Sequence, residues 1–461
     1  MRYISTRRRA PEAGFIDVLL AGLASDGGLY APEAWPAFIP GEIAAFAGAP
    51  YAEVAAAVLG RFVGDEIEEG ALQRICTRAY AGFSHPAVAP LRQLAPGRFL
   101  LDLTRGPTLA FKDVAMQVLG GLFEHALAAR GRTMTIVAAT SGDTGGAAAA
   151  AFAHLAGVRL VVLFPEGRVS EVQRRFMTTT GADNVRCVAV DGDFDACQAI
   201  LKSLFADEAF ARATELGAVN SINFARIAAQ SVYYFTAATA LGAPGRKVAF
   251  AVPTGNFGDA YAGWAARRMG LPIERIIVAT NANDIVARAL TEGRYRRGEA
   301  VATQSPAMDI QVASNFERLH FEYAGRGNLE TAAAFEAFAR TGELTLAPAI
   351  REAMAEVFQG VAVSEAETSE AMRTTWEQTG ELIDPHTAVA MAGAHAAQPL
   401  NPRTPLVVLA TAHPAKFPEA VAAAGLAPDT ARVEALGRLV ERFDRLPADA
   451  EAVKAYVRGW P

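Results

Sequence analysis

The chain has 461 residues, of which 51% are hydrophobic and 20% are charged, and its formal net charge is −6 at pH 7. This length suits two or three domains with large buried cores. Charges of both signs are interspersed and no basic tract occurs, so nucleic-acid binding has little electrostatic support.

The remaining composition predicts a soluble, cytoplasmic protein that does not enter a membrane. Its three cysteines, Cys76, Cys187 and Cys197, lack metal-ligand spacing and predict reduced, buried thiols and no metal site. The longest apolar stretch, residues 145–165, is interrupted by a histidine and an arginine. That pattern favours a helix followed by a strand over a membrane span.

Three regions are predicted to follow one another along the chain. Residues 1–95 form a mostly helical N-terminal domain that ends in a Pro-rich joint. Residues 96–245 form the smaller of two α/β domains. Residues 246–461 form the larger α/β domain, with a charge-rich helical insertion at about 291–380.

Short apolar runs alternate with helical patterns through the middle of the chain. Such runs indicate βα units and a parallel sheet covered on both faces. The predicted fold class is therefore α/β, with parallel-rich sheets. The predicted strands are 133–139, 159–164, 185–190, 247–252, 273–279 and 405–410, and predicted helices include 145–156 and 169–179.

Lysine is scarce in this chain, and Lys112 is the most informative of the five lysines among 43 basic residues. Arginine cannot lose its proton and condense with an aldehyde, whereas a lysine amine can. Apolar residues at 109–111 and 114–116 surround Lys112. Such a setting lowers the pKa of the amine and makes it a better nucleophile and base.

Two Gly-rich loops each lie between a predicted strand and a helix. They are Thr140–Gly146 and Thr254–Gly258, and neither fits the Walker A or G-x-G-x-x-G pattern. Glycines let consecutive N–H groups approach an anion, and a helix N-terminus adds about half a positive charge. One such loop is as well explained by a tight turn. Two loops with a rare lysine predict an enzyme that carries pyridoxal phosphate as a Schiff base.

A third segment, Asn220–Arg226, concentrates neutral hydrogen-bonding side chains beside a cation. This combination suits the phosphate or carboxylate of a small substrate. The alternative is an Asn-rich loop that caps the following helix.

Other motifs are incomplete. Residues 191–202 begin like an EF-hand loop, but Ala196 stands where Gly is required and Lys202 where the Glu ligand belongs. Neither H-E-x-x-H nor G-x-S-x-G occurs. His386 is predicted to cap a helix rather than to act in catalysis.

Segments along almost the whole chain resemble the threonine synthase family, in the branch with an extended N-terminal domain. The resemblance implies the tryptophan-synthase-β-like fold (fold type II), with cofactor and substrate in a cleft between two α/β domains. Residues 314–318 and 412–417 are the segments most specific to this family. The matching segments are 3–7, 26–30, 106–113, 141–146, 220–226, 253–259, 308–310, 314–318, 383–389 and 411–417.

The resemblance also implies roles for the matched residues. Lys112 is the catalytic residue and holds the cofactor. Thr411 faces the pyridine nitrogen, and Asp143, which stands where many relatives have Asn, lies near the phenolic oxygen. The loop expected to bind the cofactor phosphate comprises Thr254, Gly255, Asn256, Phe257 and Gly258. The residues expected to bind substrate are Ser141, Gly142, Thr144, Asn220, Ser221, Asn223 and Arg226.

The implied reaction converts O-phospho-L-homoserine and water to L-threonine and phosphate, the last step of threonine biosynthesis, in a monomer or homodimer. The chain departs from the family at Thr104 and Arg105, where Phe and His are common. Arg105 is therefore a further candidate to hold the substrate phosphate. The alternatives are a serine/threonine dehydratase or another phospholyase, and a non-catalytic homologue that binds pyridoxal phosphate or another phosphate ligand.

Overall fold

A computed structural model describes residues 1–327, 329–398 and 400–460. The strands are β1 (Tyr3–Ser5), β2 (Tyr30–Pro32), β3 (Leu91–Ala95), β4 (Arg98–Asp102), β5 (Met134–Ala139), β6 (Val158–Pro165), β7 (Val185–Asp191), β8 (Leu216–Gly217), β9 (Val248–Pro253), β10 (Ile273–Thr280), β11 (Arg294–Arg296), β12 (Glu343–Thr345), β13 (Phe358–Ala362), β14 (Leu406–Ala410) and β15 (Asp444–Pro447).

Helices cover both faces of the sheets. They are α1 (Phe15–Ala21), α2 (Pro40–Ala44), α3 (Tyr51–Val63), α4 (Glu69–Tyr80), α5 (Lys112–Arg130), α6 (Asp143–Phe152), α7 (Glu171–Thr178), α8 (Phe194–Ala206), α9 (Glu208–Ala213), α10 (Phe224–Ala240), α11 (Gly258–Arg268), α12 (Ile285–Glu292), α13 (Phe316–Tyr323), α14 (Glu330–Thr341), α15 (Pro348–Ala355), α16 (Glu365–Thr379), α17 (Pro385–Ala396), α18 (Pro418–Ala423) and α19 (Ala450–Arg458). In the described ranges, no helix has the length and apolar character needed to cross a membrane.

Two sheets form the frame of the molecule. The smaller has the order β15-β7-β6-β5-β8 and is parallel throughout. The larger has the order β13-β10-β9-β14-β4-β3, and only the pairing of β3 with β4 is antiparallel. Their central strands are almost completely buried, as the continuous apolar runs predicted. The predicted α/β class with parallel-rich sheets is confirmed.

The strands do not follow the domain boundaries that we predicted at 96 and 246. β4 pairs with β14 in the larger sheet, although it lies in the region assigned to the smaller domain. β15 pairs with β7 in the smaller sheet, although it lies in the region assigned to the larger one. β13, inside the predicted insertion at 291–380, forms the edge of the larger sheet. The sequence pattern did not predict β4, β13 or β15 as strands, which explains why their pairing across these boundaries was not foreseen.

The N-terminal region packs on the same core as the sheets. Phe62 of α3 contacts Phe224 of α10 edge to face, with ring centroids 5.4 Å apart. Buried Arg318 of α13 donates to the Tyr30 carbonyl of β2 at 2.8 Å. These contacts fix the start of α10, which carries the Asn-rich segment.

Candidate active site

Lys112 is the first residue of α5, and the loop before it is tied to the segment after β14. The Phe111 N–H donates to the Thr411 carbonyl at 2.8 Å, and the His413 N–H donates to the Leu109 carbonyl at 3.0 Å. These bonds bring the predicted residues Lys112 and Thr411 together, although almost 300 residues separate them in the sequence.

Asp113 holds the turn that precedes Lys112. Thr108 donates to the Asp113 carboxylate through its N–H at 2.8 Å and its hydroxyl at 2.6 Å. A Cβ at Gly106 would lie 2.3 Å from the Asp113 Cβ, so only glycine fits there. Burial raises the pKa of Asp113 to about 6. The turn therefore presents Lys112 from a closely packed support.

The Lys112 side chain is 12% exposed and lies beside a carboxylate and an aromatic ring. Its Nζ lies 3.6 Å from Asp143 Oδ2 and 4.6 Å from the centroid of the Phe111 ring. Burial lowers the pKa of Lys112; Asp143 opposes this effect, whereas the charges of Lys416 and Arg226 add to it. The lowered pKa increases the fraction of free amine, which is the form that attacks a carbonyl or accepts a proton.

Asp143 begins α6 and contacts two further polar groups. Its Oδ1 accepts from Lys416 Nζ at 2.7 Å and from Gln173 Nε2 at 3.0 Å. Burial acts to raise the pKa of Asp143, but Lys416, Lys112 and Gln173 outweigh it and hold the pKa below its ordinary value. The carboxylate is therefore ionised at neutral pH. We did not predict Lys416 or Gln173 as site residues, although the scarcity of lysine was a signal for Lys416.

Hydrogen bonds to a threonine side chain within the first Gly-rich loop hold the loop in a closed turn. Thr140 Oγ1 accepts from the N–H groups of Gly142 and Gly145, both at 3.0 Å. Gly142 has φ +146°, and a Cβ there would lie 2.5 Å from the Gln173 side chain. Glycine is required at this position for both reasons.

This loop opens onto a cavity of about 470 Å³ between the two sheets. Exposed Ser141 lines the cavity together with Gln173 and Lys416. Thr144 is half-buried in the first turn of α6. The loop predicted to bind the substrate carboxylate is therefore accessible from the cleft.

The second Gly-rich loop presents backbone N–H groups rather than a closed turn. It lies between β9 and α11, and Phe257 has φ +62°. A Cβ at Gly255 would lie 3.0 Å from the Ala307 carbonyl oxygen. Within the described ranges, the N–H groups of residues 255–258 donate no hydrogen bond. Free N–H groups at the start of an eleven-residue helix suit a phosphate, so this loop fits the phosphate of pyridoxal phosphate.

Thr254 differs from the rest of this loop because its polar groups bond to neighbouring strands. Its hydroxyl donates to the Val252 carbonyl at 2.9 Å, and its N–H donates to the Ala279 carbonyl at 2.8 Å. Thr254 therefore fixes the position at which the loop leaves β9.

Asn315 joins the second loop to the Asn-rich segment. Its Nδ2 donates to the Asn256 carbonyl at 3.1 Å and to the Ser221 carbonyl at 3.0 Å. Asn220 and Ser221 are thereby held near the second Gly-rich loop. We had not predicted Asn315 as a site residue, although it lies in one of the segments that carry the family resemblance.

Asn223 has a structural role that differs from the predicted substrate contact. Its Oδ1 accepts from the Ala225 N–H at 3.1 Å, and its Nδ2 donates to the Leu19 carbonyl at 2.8 Å. The side chain caps α10 and anchors the N-terminal region. This is the capping alternative that the sequence left open.

Arg226 is a buried cation in the first turn of α10. It is 4% exposed, and its Nε has no hydrogen-bond partner among the described residues. Burial lowers the pKa of Arg226 to about 10, so it remains charged at neutral pH. A buried charge without a partner is costly, which indicates that an anionic ligand pairs with it.

Asp259 lies in the first turn of α11, directly after the second loop. Its Oδ1 accepts from the hydroxyls of Tyr233 at 2.5 Å and Tyr234 at 2.9 Å. Burial raises the pKa of Asp259 to about 6. Its Oδ2 has no partner in the described part of the chain.

His386 is not the cap that we predicted. Asp384 caps α17 by accepting from the Thr387 N–H at 3.0 Å. His386 Nδ1 lies 2.7 Å from Asp384 Oδ2, and its Nε2 accepts from the Ala307 N–H at 3.1 Å, which places the ring proton on Nδ1. His386 thus supports the backbone that packs against Gly255.

Arg105 lies in a different cavity, of about 440 Å³, which His413 also lines. Its Nε lies 2.6 Å from Asp102 Oδ2. Its charge is therefore already paired, unlike that of Arg226.

Three family models match consecutive parts of the chain. "Threonine synthase N terminus" matches residues 2–80, "Pyridoxal-phosphate dependent enzyme" matches 88–357, and "Threonine synthase, C-terminal" matches 387–457. The chain belongs to the threonine synthase family. Its members among curated proteins include the threonine synthase of Pseudomonas aeruginosa, 48% identical over 460 residues, with 99% of this chain and 98% of that protein covered.

Solved structures of threonine synthases have the same fold. The pyridoxal-phosphate-bound enzyme from Brucella melitensis is 47% identical with a TM-score of 0.97, covering 100% of this chain and 99% of that one. The Escherichia coli threonine synthase is 34% identical with a TM-score of 0.83, covering 100% of both chains. The fold is therefore that of the type II pyridoxal-phosphate enzymes. The chain is a pyridoxal-phosphate-dependent lyase with threonine synthase function.

Proposed function

We propose that this chain converts O-phospho-L-homoserine and water to L-threonine and inorganic phosphate, with Lys112 as the lysine that carries the cofactor. The observation that carries the proposal is the largely buried Lys112 amine, 3.6 Å from Asp143 Oδ2. An amine of lowered pKa in this position is suited both to hold an aldehyde and to accept protons.

The surrounding residues fit pyridoxal phosphate. The N–H groups of residues 255–258 would hold its phosphate, and the hydroxyl of Thr411 would accompany its pyridine nitrogen. When bound, the cofactor supplies an electron sink for the substrate carbons that lose protons. A neutral hydroxyl at position 411 restrains this sink in comparison with a carboxylate, which favours retention of the substrate amino group.

The charges of the site support a phosphorylated substrate. Lys416 and Arg226 are buried cations and Lys112 is a largely buried one, whereas Asp143 is the ionised carboxylate paired with the two lysines. Among the described residues, Arg226 has no carboxylate partner. The dianionic phosphate of the substrate supplies the missing charge, with Asn220 and Ser221 beside it. Ser141, Gly142 and Thr144 bind the substrate carboxylate.

Lys112 acts as the base at two substrate carbons. It removes the proton from the α carbon and then a proton from the β carbon. Phosphate leaves the γ carbon with the electron pair of the broken C–O bond, and Arg226 stabilises its charge. Water then adds at the β carbon, and protons return to the α and γ carbons, which gives threonine. Closure of the cleft excludes other water from the site.

The first test is an assay of products. The holoenzyme with O-phospho-L-homoserine is expected to release phosphate and threonine in equal amounts. A serine/threonine dehydratase would instead release ammonia and a keto acid from serine or threonine. Release of phosphate without threonine would indicate another phospholyase, and no turnover would indicate a non-catalytic homologue.

The second test addresses Lys112 itself. Lys112→Ala is expected to lose the absorbance band of the lysine-bound cofactor and to reduce kcat by about 10³-fold or more, because the base is removed. The exposed lysine variant Lys202→Ala serves as the matched control and should behave as the wild type. Borohydride reduction followed by peptide mapping should label position 112. An active protein labelled elsewhere would refute the assignment.

We also propose that the enzyme acts in the cytoplasm as a monomer or homodimer. The scattered, buried and unpaired cysteines support a reducing compartment. Light scattering after size-exclusion chromatography would give the oligomeric state, and a larger assembly would contradict the proposal.

A further inference from the structure

A second buried lysine, Lys416, lies beside the catalytic cluster and has no role in the reaction described so far. Its side chain is 1% exposed, and it follows β14 of the larger sheet. Its Nζ lies 2.7 Å from Asp143 Oδ1, 2.7 Å from the Thr108 carbonyl oxygen and 5.1 Å from the centroid of the Phe176 ring. A buried ammonium group at this location is costly unless its partners compensate for the lost hydration.

The partners of Lys416 come from three parts of the site. Asp143 and Phe176 lie on α6 and α7, which pack with the smaller sheet, whereas Thr108 lies in the turn that leads to Lys112. Lys416 itself belongs to the larger sheet's side of the cleft. The ammonium group therefore crosses the cleft and joins both halves to the turn before the catalytic lysine.

We propose that Lys416 is a positioning residue for the reaction that acts through Asp143: it binds one oxygen of the carboxylate whose other oxygen faces the Lys112 nitrogen, and its positive charge offsets the negative charge that this carboxylate places there. This inference rests on the proposed function, in which Lys112 carries the cofactor. The geometry supports it because Asp143 Oδ1 contacts Lys416 while Asp143 Oδ2 faces Lys112.

The charges that act on the Lys112 nitrogen determine the sign of each expected effect. Lys416 and Arg226 are cations that disfavour a proton on Lys112, and Asp143 is the anion that favours it. Asp259, on α11, is a further carboxylate whose charge interacts with Lys112. Asp113 is buried next to Lys112 in sequence and interacts with Lys416. Removing Lys416 should therefore favour the proton on the Lys112 nitrogen, and removing the charge of Asp143 should disfavour it.

The test is a pH titration of the holoenzyme by absorbance, without substrate. The spectrum of the bound cofactor changes when the Lys112 nitrogen loses its proton, so the midpoint reports the charges nearby. Lys416→Met is expected to raise this midpoint by about one pH unit or more, and Asp143→Asn to lower it by a similar amount. Lys416→Arg keeps the charge and should stay near the wild-type midpoint. Lys202→Met, at an exposed lysine, is the control for loss of a distant charge.

An unchanged or lowered midpoint in Lys416→Met would overturn the proposal. A lysine with a purely structural role would not raise the midpoint when it is replaced. If Lys416→Met does not fold, the double variant Lys416→Met/Asp143→Asn removes both charges of the pair. A midpoint near the wild-type value would then support the proposal, and a midpoint equal to that of Asp143→Asn alone would refute it. If the proposed function itself is wrong, Lys112→Ala would retain the absorbance band of the lysine-bound cofactor. That result distinguishes failure of the proposed function from failure of the Lys416 proposal.

Discussion

Asp143 and Asp259 occupy the same local position in two similar segments of the molecule. Each lies in the first turn of a helix that follows a parallel strand and a Gly-rich loop, and each is 6% exposed. Their partners differ. Lys416, Lys112 and Gln173 surround Asp143 and hold its pKa below the ordinary value, against the effect of burial. Two tyrosine hydroxyls donate to Asp259, and burial raises its pKa to about 6.

The loops before these two residues differ in the same way. Thr140 satisfies the N–H groups of Gly142 and Gly145, so the first loop presents the carboxylate of Asp143. The second loop leaves the N–H groups of residues 255–258 free for an anion. Similar sequence patterns therefore serve different ends: the first loop places the Asp143 side chain beside Lys112, and the second leaves backbone N–H groups for the phosphate that we propose binds there.

The largest expected difference concerns turnover. Asp143→Asn should reduce kcat by about 10²-fold or more, because it removes the negative charge between Lys112, the proposed catalytic base, and buried Lys416. Asp259→Asn should reduce kcat by less than about tenfold, because the amide oxygen still accepts from both tyrosine hydroxyls. Steady-state kinetics at saturating cofactor would measure both, with circular dichroism to verify folding. Equal losses in the two variants would remove the functional distinction between them.

A smaller effect is expected on cofactor affinity. Gly255→Val places a Cβ against the Ala307 carbonyl and the Met308 Cα, which belong to backbone and cannot move aside easily. Crowding of about 1 to 3 kcal/mol should weaken cofactor binding by about 10- to 100-fold. Fluorescence titration of the apoprotein with pyridoxal phosphate would measure it. Gly82→Val is the control, since no heavy atom lies within 4 Å of its Cβ position.

The smallest expected effect is on the pH dependence of stability. The pKa of Asp259 rises from 3.8 to about 6 on folding, so its contribution to stability is present at low pH and is lost as the pH rises through 6. Between pH 5 and 7.5, Asp259→Asn should therefore lose less stability than the wild type, by about 1.4 kcal/mol. Denaturant unfolding at several pH values would measure the difference.

Asp143→Asn is the matched control for that experiment. The pKa of Asp143 is held below its ordinary value, so its contribution is lost only as the pH falls through the acid range. Its unfolding free energy should follow the wild-type slope between pH 5 and 7.5. Parallel curves for the wild type and Asp259→Asn would contradict the raised pKa of Asp259.

Much of the frame could be predicted from the sequence because buried parallel strands are continuous apolar runs. The run predicted at 133–139 is the strand Met134–Ala139, and the run at 273–279 is Ile273–Thr280. The sequence pattern did not predict β4 or β15 as strands. β15 is a short edge strand with charged residues, and neither its length nor its pattern distinguishes it from a loop.

Site residues could be predicted from the sequence where the residues that act together are close to one another along the chain. The two loops and Lys112 have recognisable sequence settings, and the structure places Asp143, which follows the first loop, 3.6 Å from the Lys112 amine. The partners of Asp143 and Asp259 come from remote segments, so the sequence could not show which carboxylate meets lysines and which meets tyrosines. Asn223 shows that a local setting can also mislead, because an asparagine at the start of a helix suits both a substrate contact and a helix cap.

The pairing of β15 with β7 has a consequence for the way the protein is made. β15 follows every strand of the larger sheet in the chain, yet it covers the outer edge of the smaller one. While the ribosome is still adding residues before 444, that edge has exposed N–H and C=O groups that can pair with another nascent chain. Expression of chains that stop short of this strand should therefore yield more insoluble aggregate than expression of the full sequence.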